Sequence, residues 1–98
     1  MSFAKKVDKN QAAVVKTLRD NGADVYLLHM VGKGIPDLLV AYEGHTKGHT
    51  ILIEVKDGVN KVFTPDQLKF IATWKGGPLH RVNNEQEALE VLNLYKME

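Results

Sequence analysis

Residues 50–56, Thr-Ile-Leu-Ile-Glu-Val-Lys, constrain the chain more than any other stretch. Apolar and β-branched residues dominate it, so it predicts a strand. Side chains in a strand alternate between two faces. Ile51, Ile53 and Val55 then share one face, and Leu52, Glu54 and Lys56 share the other. A carboxylate and an ammonium on one face of an otherwise apolar strand need partners, because unpaired buried charge is costly. Taken alone, Glu-Val-Lys also fits an exposed ion pair on an edge strand.

The preceding residues bear on that choice. Gly34-Ile35-Pro36-Asp37 leads into a second apolar stretch, Asp37 to Tyr42, and the proline fixes an extended entry. Glu43 to His49 holds two glycines and two histidines and reads as a turn. Two strands and a short turn predict an antiparallel hairpin, which brings Asp37 beside Glu54. An aspartate after proline is also a common turn residue. Adjacent carboxylates repel unless a cation lies between them. Mg²⁺, held by one or two carboxylates plus waters and a substrate phosphate, suits such a place. Lys56 then stands where an ammonium can orient water or offset charge on a phosphate.

The remaining elements follow from periodicity and caps. Asp8 to Asp20 predicts a helix, with Val7, Gln11, Val14, Val15 and Leu18 near helical spacing and Asp8 as N-cap. Asn21-Gly22 ends it. Val25 to Met30 predicts a strand, and Val31 to Gly34 a flexible loop. Thr64-Pro65-Asp66-Gln67 opens a helix to about Trp74, with Gln67 closing a capping box on Thr64. Leu79 to Val82 predicts a strand. Asn83 or Asn84 caps a last helix with Ala88, Leu89, Val91, Leu92 and Tyr95 as its apolar stripe. The expected architecture is α/β, in the order α-β-β-β-α-β-α around a small mixed sheet, with residues 1–98 as one domain.

Three blocks in this order, Gly34-Ile35-Pro36-Asp37, Ile53-Glu54-Val55-Lys56 and Thr64-Pro65-Asp66-Gln67, resemble the VRR-Nuc family of the PD-(D/E)xK nuclease superfamily. The resemblance runs from the first helix to about Gly77. It implies a restriction-endonuclease-like core and Mg²⁺- or Mn²⁺-dependent hydrolysis of DNA. It implies metal ligation by Asp37, Glu54 and the backbone carbonyl of Val55, with Lys56 as the catalytic lysine. Gln67 falls at a position that faces the active site in the family. Family members commonly carry a glutamate in the first helix that reaches the metal. The nearest match here is Gln11, acting through water, with Asp8 one turn earlier. This departure weakens the case for a second metal. Small stand-alone members resemble junction resolvases, which implies a homodimer acting on branched DNA such as four-way (Holliday) junctions. Two other readings stand beside it: a monomeric nicking or flap nuclease, and an inactive DNA-binding module of the same fold.

Composition sets bounds on these readings. The net charge is +1, from 13 basic and 12 acidic residues, so DNA contact has to come from local clusters or a bridging metal. There is no cysteine, which excludes a disulfide scaffold and cysteine-held zinc and fits a reducing, cytoplasmic setting. No apolar run approaches the ~20 residues of a membrane span. The basic N-terminal residues lack the apolar stretch of a secretory signal. Lys33, just before the Pro-Asp block, and Lys61, after the Glu-Val-Lys strand, are candidate DNA contacts. Lys5, Lys6 and Lys9 form a basic edge that reads as solvated. His45 and His49 flank a turn without a third ligand, and a P-loop pattern is missing around Gly32-Lys33-Gly34. His29 and His80 read as packed or surface strand residues, and Phe70 and Trp74 as core.

Overall fold

The computed structural model describes residues 8–98. Val7, Lys5 and Lys6 lie outside the described residues. The order is α1 (Gln11–Asp20), β1 (Asp24–Leu27), β2 (Leu38–Glu43), β3 (Gly48–Val55), α2 (Pro65–Thr73), β4 (Leu79–Val82) and α3 (Glu85–Tyr95). The α-β-β-β-α-β-α order matches the expectation. The four strands form one mixed sheet in sequential order, β1-β2-β3-β4. β1 with β2 and β2 with β3 are antiparallel, and β3 with β4 is parallel. The parallel pair needs a crossover, which α2 supplies.

One face of the sheet makes the core. Val25, Leu38, Val40, Ile51, Ile53, Val55 and Val82 are buried there against Val14, Val15 and Leu18 of α1 and Ala88, Val91 and Leu92 of α3. α1 and α3 also pack on each other. The alternation within β3 holds: Ile51, Ile53 and Val55 belong to this core, and Glu54 is turned away from it.

Several boundaries differ from the sequence expectation. Asp8 is not the N-cap of α1. Asn10 occupies the cap position without a side-chain cap bond, because its amide bonds two distant carbonyls instead. β1 ends at Leu27, not Met30, since Val31 N–H turns back to the Leu28 carbonyl (2.9 Å). His29 therefore lies in a turn, not in a strand. The β2–β3 hairpin zips further than expected, to Glu43 opposite Gly48. Its turn is closed by Gly44 N–H to the Lys47 carbonyl at 2.9 Å. Phe70 and Trp74 are not core. Neither belongs to the buried cluster: Phe70 is half-buried and Trp74 is 43% exposed.

The capping box of α2 is present as expected. Thr64 Oγ1 accepts from Gln67 N–H, and Gln67 Oε1 accepts from Thr64 N–H. Asn84, rather than Asn83, caps α3 and accepts from Glu87 N–H (2.9 Å). Gly34 has φ +76°, and a Cβ there would fall 2.2 Å from the Asp66 carbonyl oxygen. The loop before Pro36 is thus docked against the first turn of α2 at a position only glycine fits.

Candidate active site

The buried polar side chains form a short set. Among the described residues, the polar or charged side chains classed as buried are Gln11, Asp37, Glu54, Lys56 and Gln67. Their exposures are 4, 2, 3, 8 and 5%. Buried polar groups are expensive unless paired, so a fold that concentrates them needs a reason beyond packing.

Pairing register places Asp37 and Glu54. Leu38 sits opposite Ile53 in the hairpin, so Asp37 falls opposite Glu54 one step along. Asp37 Oδ2 accepts from Val55 N–H at 2.8 Å, which pins the carboxylate across the end of β2. A strand residue points its N–H and C=O to the same side. The Val55 carbonyl therefore also points toward the β2 side, where β2 has ended. Its neighbour Lys56 faces the other way, donating its N–H to the Val82 carbonyl (2.9 Å).

Gln67 joins the rest. Its Oε1 accepts from Lys56 Nζ at 2.8 Å and from Thr64 N–H at 2.9 Å. Its Nε2 donates to Glu54 Oε2 at 2.8 Å. With donors on one end and an acceptor on the other, the amide has one orientation. Lys56 Nζ lies 3.4 Å from Glu54 Oε2 and 5.6 Å from the centre of the Phe63 ring. Arg81 approaches the same ring at 5.4 Å and donates to the Gly58 carbonyl, holding the loop after β3 in place.

The N-terminus of α1 approaches this end of the sheet through Asn10. Its Nδ2 donates to the Lys56 carbonyl at 2.9 Å and to the Asn83 carbonyl at 2.6 Å. Gln11 follows it, buried, with an Oε1 that has no hydrogen-bond partner. An orphaned buried amide oxygen calls for water or a ligand. Asp8 supplies only its backbone carbonyl, which accepts from Gln11 N–H.

The donor set fits a hard divalent cation. Two carboxylates and a strand carbonyl are all oxygen donors, as Mg²⁺ and Mn²⁺ prefer, while Gln11 lines a groove with Val15, Leu27 and His29. No group of three or more His, Asp or Glu side chains able to hold a metal occurs among the described residues. A cation here would draw on two carboxylates and the backbone, with waters completing its shell. His29 lines the groove that Gln11 also lines, whereas His49 and His80 pack around Tyr95. His49 contacts the Tyr95 ring at 5.0 Å, and His80 Nε2 pairs with the Tyr95 hydroxyl at 2.6 Å.

The lysines diverge. Lys33 stands beside α2, in a groove it shares with Asp66, Lys69, Phe70 and Thr73. It has φ +60°, an uncommon left-handed conformation for a non-glycine residue. Lys61 is exposed in the loop after β3, and Lys9 pairs with Asp57 at 3.6 Å. The sequence reading missed Asn10 and Phe63. Asn10 carries no local signal, because the carbonyls it bonds are 46 and 73 residues away.

Comparison with known proteins returns no matching family, no matching characterised protein and no matching solved structure.

Proposed function

We propose that this chain is a metal-dependent DNA endonuclease with a PD-(D/E)xK-type core of the VRR-Nuc kind. The observation that carries the reading is the coincidence of two sets. The buried polar side chains of the described fold are the same five residues that the motif blocks and first helix single out. A scaffold without chemistry gains little from burying two carboxylates, an ammonium and the Gln67 amide at one end of a sheet.

In this reading Asp37, Glu54 and the Val55 carbonyl hold Mg²⁺ or Mn²⁺, with Gln11 reaching it through water. The bound ion supplies Lewis acidity for phosphodiester hydrolysis. Lys56 orients the attacking water and offsets charge on the phosphate. Gln67 acts as a positioning residue. It holds the Lys56 ammonium with its oxygen and the Glu54 carboxylate with its nitrogen, so both face the reaction with fixed geometry. Asn10 fixes the backbone just beyond Val55. Lys33 and Lys61 contact the DNA backbone. A domain of this size has little surface for long DNA, which favours a homodimer with paired sites on branched DNA such as a four-way junction, in a cytoplasmic setting.

The test is cleavage of a labelled four-way junction beside a matched linear duplex, with Mg²⁺, Mn²⁺ or EDTA, and with Lys56→Ala as control. We expect symmetric, metal-dependent cuts in the junction that the variant loses by at least ~100-fold. Equal cutting of the linear duplex would remove the junction preference. Intact binding with no cleavage under either ion would remove the nuclease.

A further inference from the structure

The outer side of α2 carries more apolar surface than a solvent-facing helix needs. Leu68, Ile71 and Trp74 are all exposed, and Phe70 is half-buried. Phe70 and Trp74 stack, with ring centres 5.2 Å apart and planes 20° from parallel. Trp74 is held in place from two sides. Its Nε1 donates to the Gly77 carbonyl at 2.9 Å. Its ring also lies so close over Gly76 that a Cβ there would come within 2.3 Å of it. An exposed aromatic pair fixed this firmly is a surface feature, not a loosely packed core.

Phe70 also lines a groove of about 310 Å³ with Lys33, Asp66, Lys69 and Thr73. The groove lies along α2, the helix whose Gln67 bonds both Glu54 and Lys56, with Asp66, Lys69, Phe70 and Thr73 at helical spacing on one side of it. Its position is built rather than incidental. Gly34, packed on the Asp66 and Gln67 backbone, docks the loop that brings Lys33 to α2. Two lysines thus line the groove with an aromatic ring, and Asp66 is its acidic member.

We propose that this groove takes an unpaired nucleotide of the substrate strand, with its base stacked on Phe70 and its phosphates met by Lys33 and Lys69. The ring accepts any base, since every base has a π-face, and the lysines match the charge of the backbone. Trp74 backs Phe70 and keeps it from yielding. A fully stacked duplex offers no free base to the ring. The groove therefore selects DNA with an unpaired base next to the scissile phosphate, as at a flap or a single-stranded end; a fully paired four-way junction has to open a base pair at its branch point to fill it. The inference rests on the nuclease reading for its substrate.

The test is binding by the full chain in EDTA, which makes it independent of cleavage. Fluorescein-labelled oligothymidine and a blunt duplex of equal length are titrated and read by anisotropy. Emission from Trp74, the sole tryptophan, gives a second, label-free signal. We expect the single strand to bind more tightly than the duplex and to change the Trp74 emission. Phe70→Leu weakens the single strand by at least ~5-fold and leaves the duplex unchanged, whereas Phe70→Tyr retains the stacking and the affinity. Lys33→Ala with Lys69→Ala weakens binding and flattens its salt dependence while Phe70 is still in place. Equal affinity for strand and duplex, or a Phe70→Leu loss that falls equally on both, overturns the proposal. Loss of the strand preference with Lys56-dependent junction cleavage retained would sink the groove and leave the nuclease. The preference retained without cleavage would do the reverse.

Discussion

The two faces of the sheet are held in opposite ways. On one, α1 and α3 bury aliphatic side chains: Val14, Val15 and Leu18 from the first, Ala88, Val91 and Leu92 from the second. On the other, α2 buries a single residue, and that residue is Gln67. α2 is attached by its capping box, by the Gly34 contact and by the Gln67 bonds to Glu54 and Lys56. The first face provides stability without chemistry. On the second, the contacts that hold the helix are the contacts that orient the site. Strain placed on α2 is thus felt by Lys56 before it is felt by the core.

Cutting into each face separates the two roles. Leu18→Ala opens a cavity in the α1 side of the core and costs about 2–5 kcal/mol of stability. Ile71→Ala, on the open side of α2, costs under ~1 kcal/mol because Ile71 already stands in partial contact with water. Urea denaturation of both variants measures the difference. Similar losses would mean that α2 carries core weight, and the contrast between the faces would collapse.

Gln67→Met sharpens the contrast from the other side. Methionine fills similar volume but cannot bond Lys56 or Glu54. The ammonium and the carboxylate lose the amide that bridges them, so the cost is about 1–3 kcal/mol. On the proposed nuclease reading, metal-dependent cleavage falls further than that loss of stability explains, since the ammonium and carboxylate lose their fixed geometry. Kinetics at a temperature where the variant is fully folded distinguish the cases. Wild-type cleavage rates there would make Gln67 a helix cap and nothing more.

Much of this arrangement is legible in the sequence because it depends on local rules. Alternation in Thr50 to Lys56 separates Glu54 from the core face, and a hairpin of the expected kind puts Asp37 opposite it. The capping box is equally local and marks Gln67. Its second role is not local, since it depends on how α2 lies across the end of β3. Asn10 shows the same limit, with partners that only the folded chain brings near. Phe70 and Trp74 show another. Helical spacing reveals that residues share a side of a helix, but not whether anything covers that side. The early end of β1 belongs with them. Its residues favour a strand, and the turn at Leu28–Val31 overrides that preference.

The faces should also differ in their response to pH. On the covered side, burial pushes the His80 imidazole below its ordinary 6.5, and the Tyr95 hydroxyl faces it at 2.6 Å. The folded state then binds a proton less readily than the unfolded state. Stability is fully present above 6.5 and falls as pH drops through the window between 6.5 and the lowered folded value. His80→Gln keeps a polar partner for Tyr95 and removes the titration. Its denaturation midpoint should therefore change less than the wild type's between pH ~7 and ~5.5. The effect is small, because His80 is only half-buried. On the proposed nuclease reading, cleavage rates corrected for folded fraction should be the same in the two proteins across this range, because His80 and Tyr95 lie on the face opposite Lys56. A shift in the corrected rate profile of His80→Gln would mean that the two faces are coupled through the sheet.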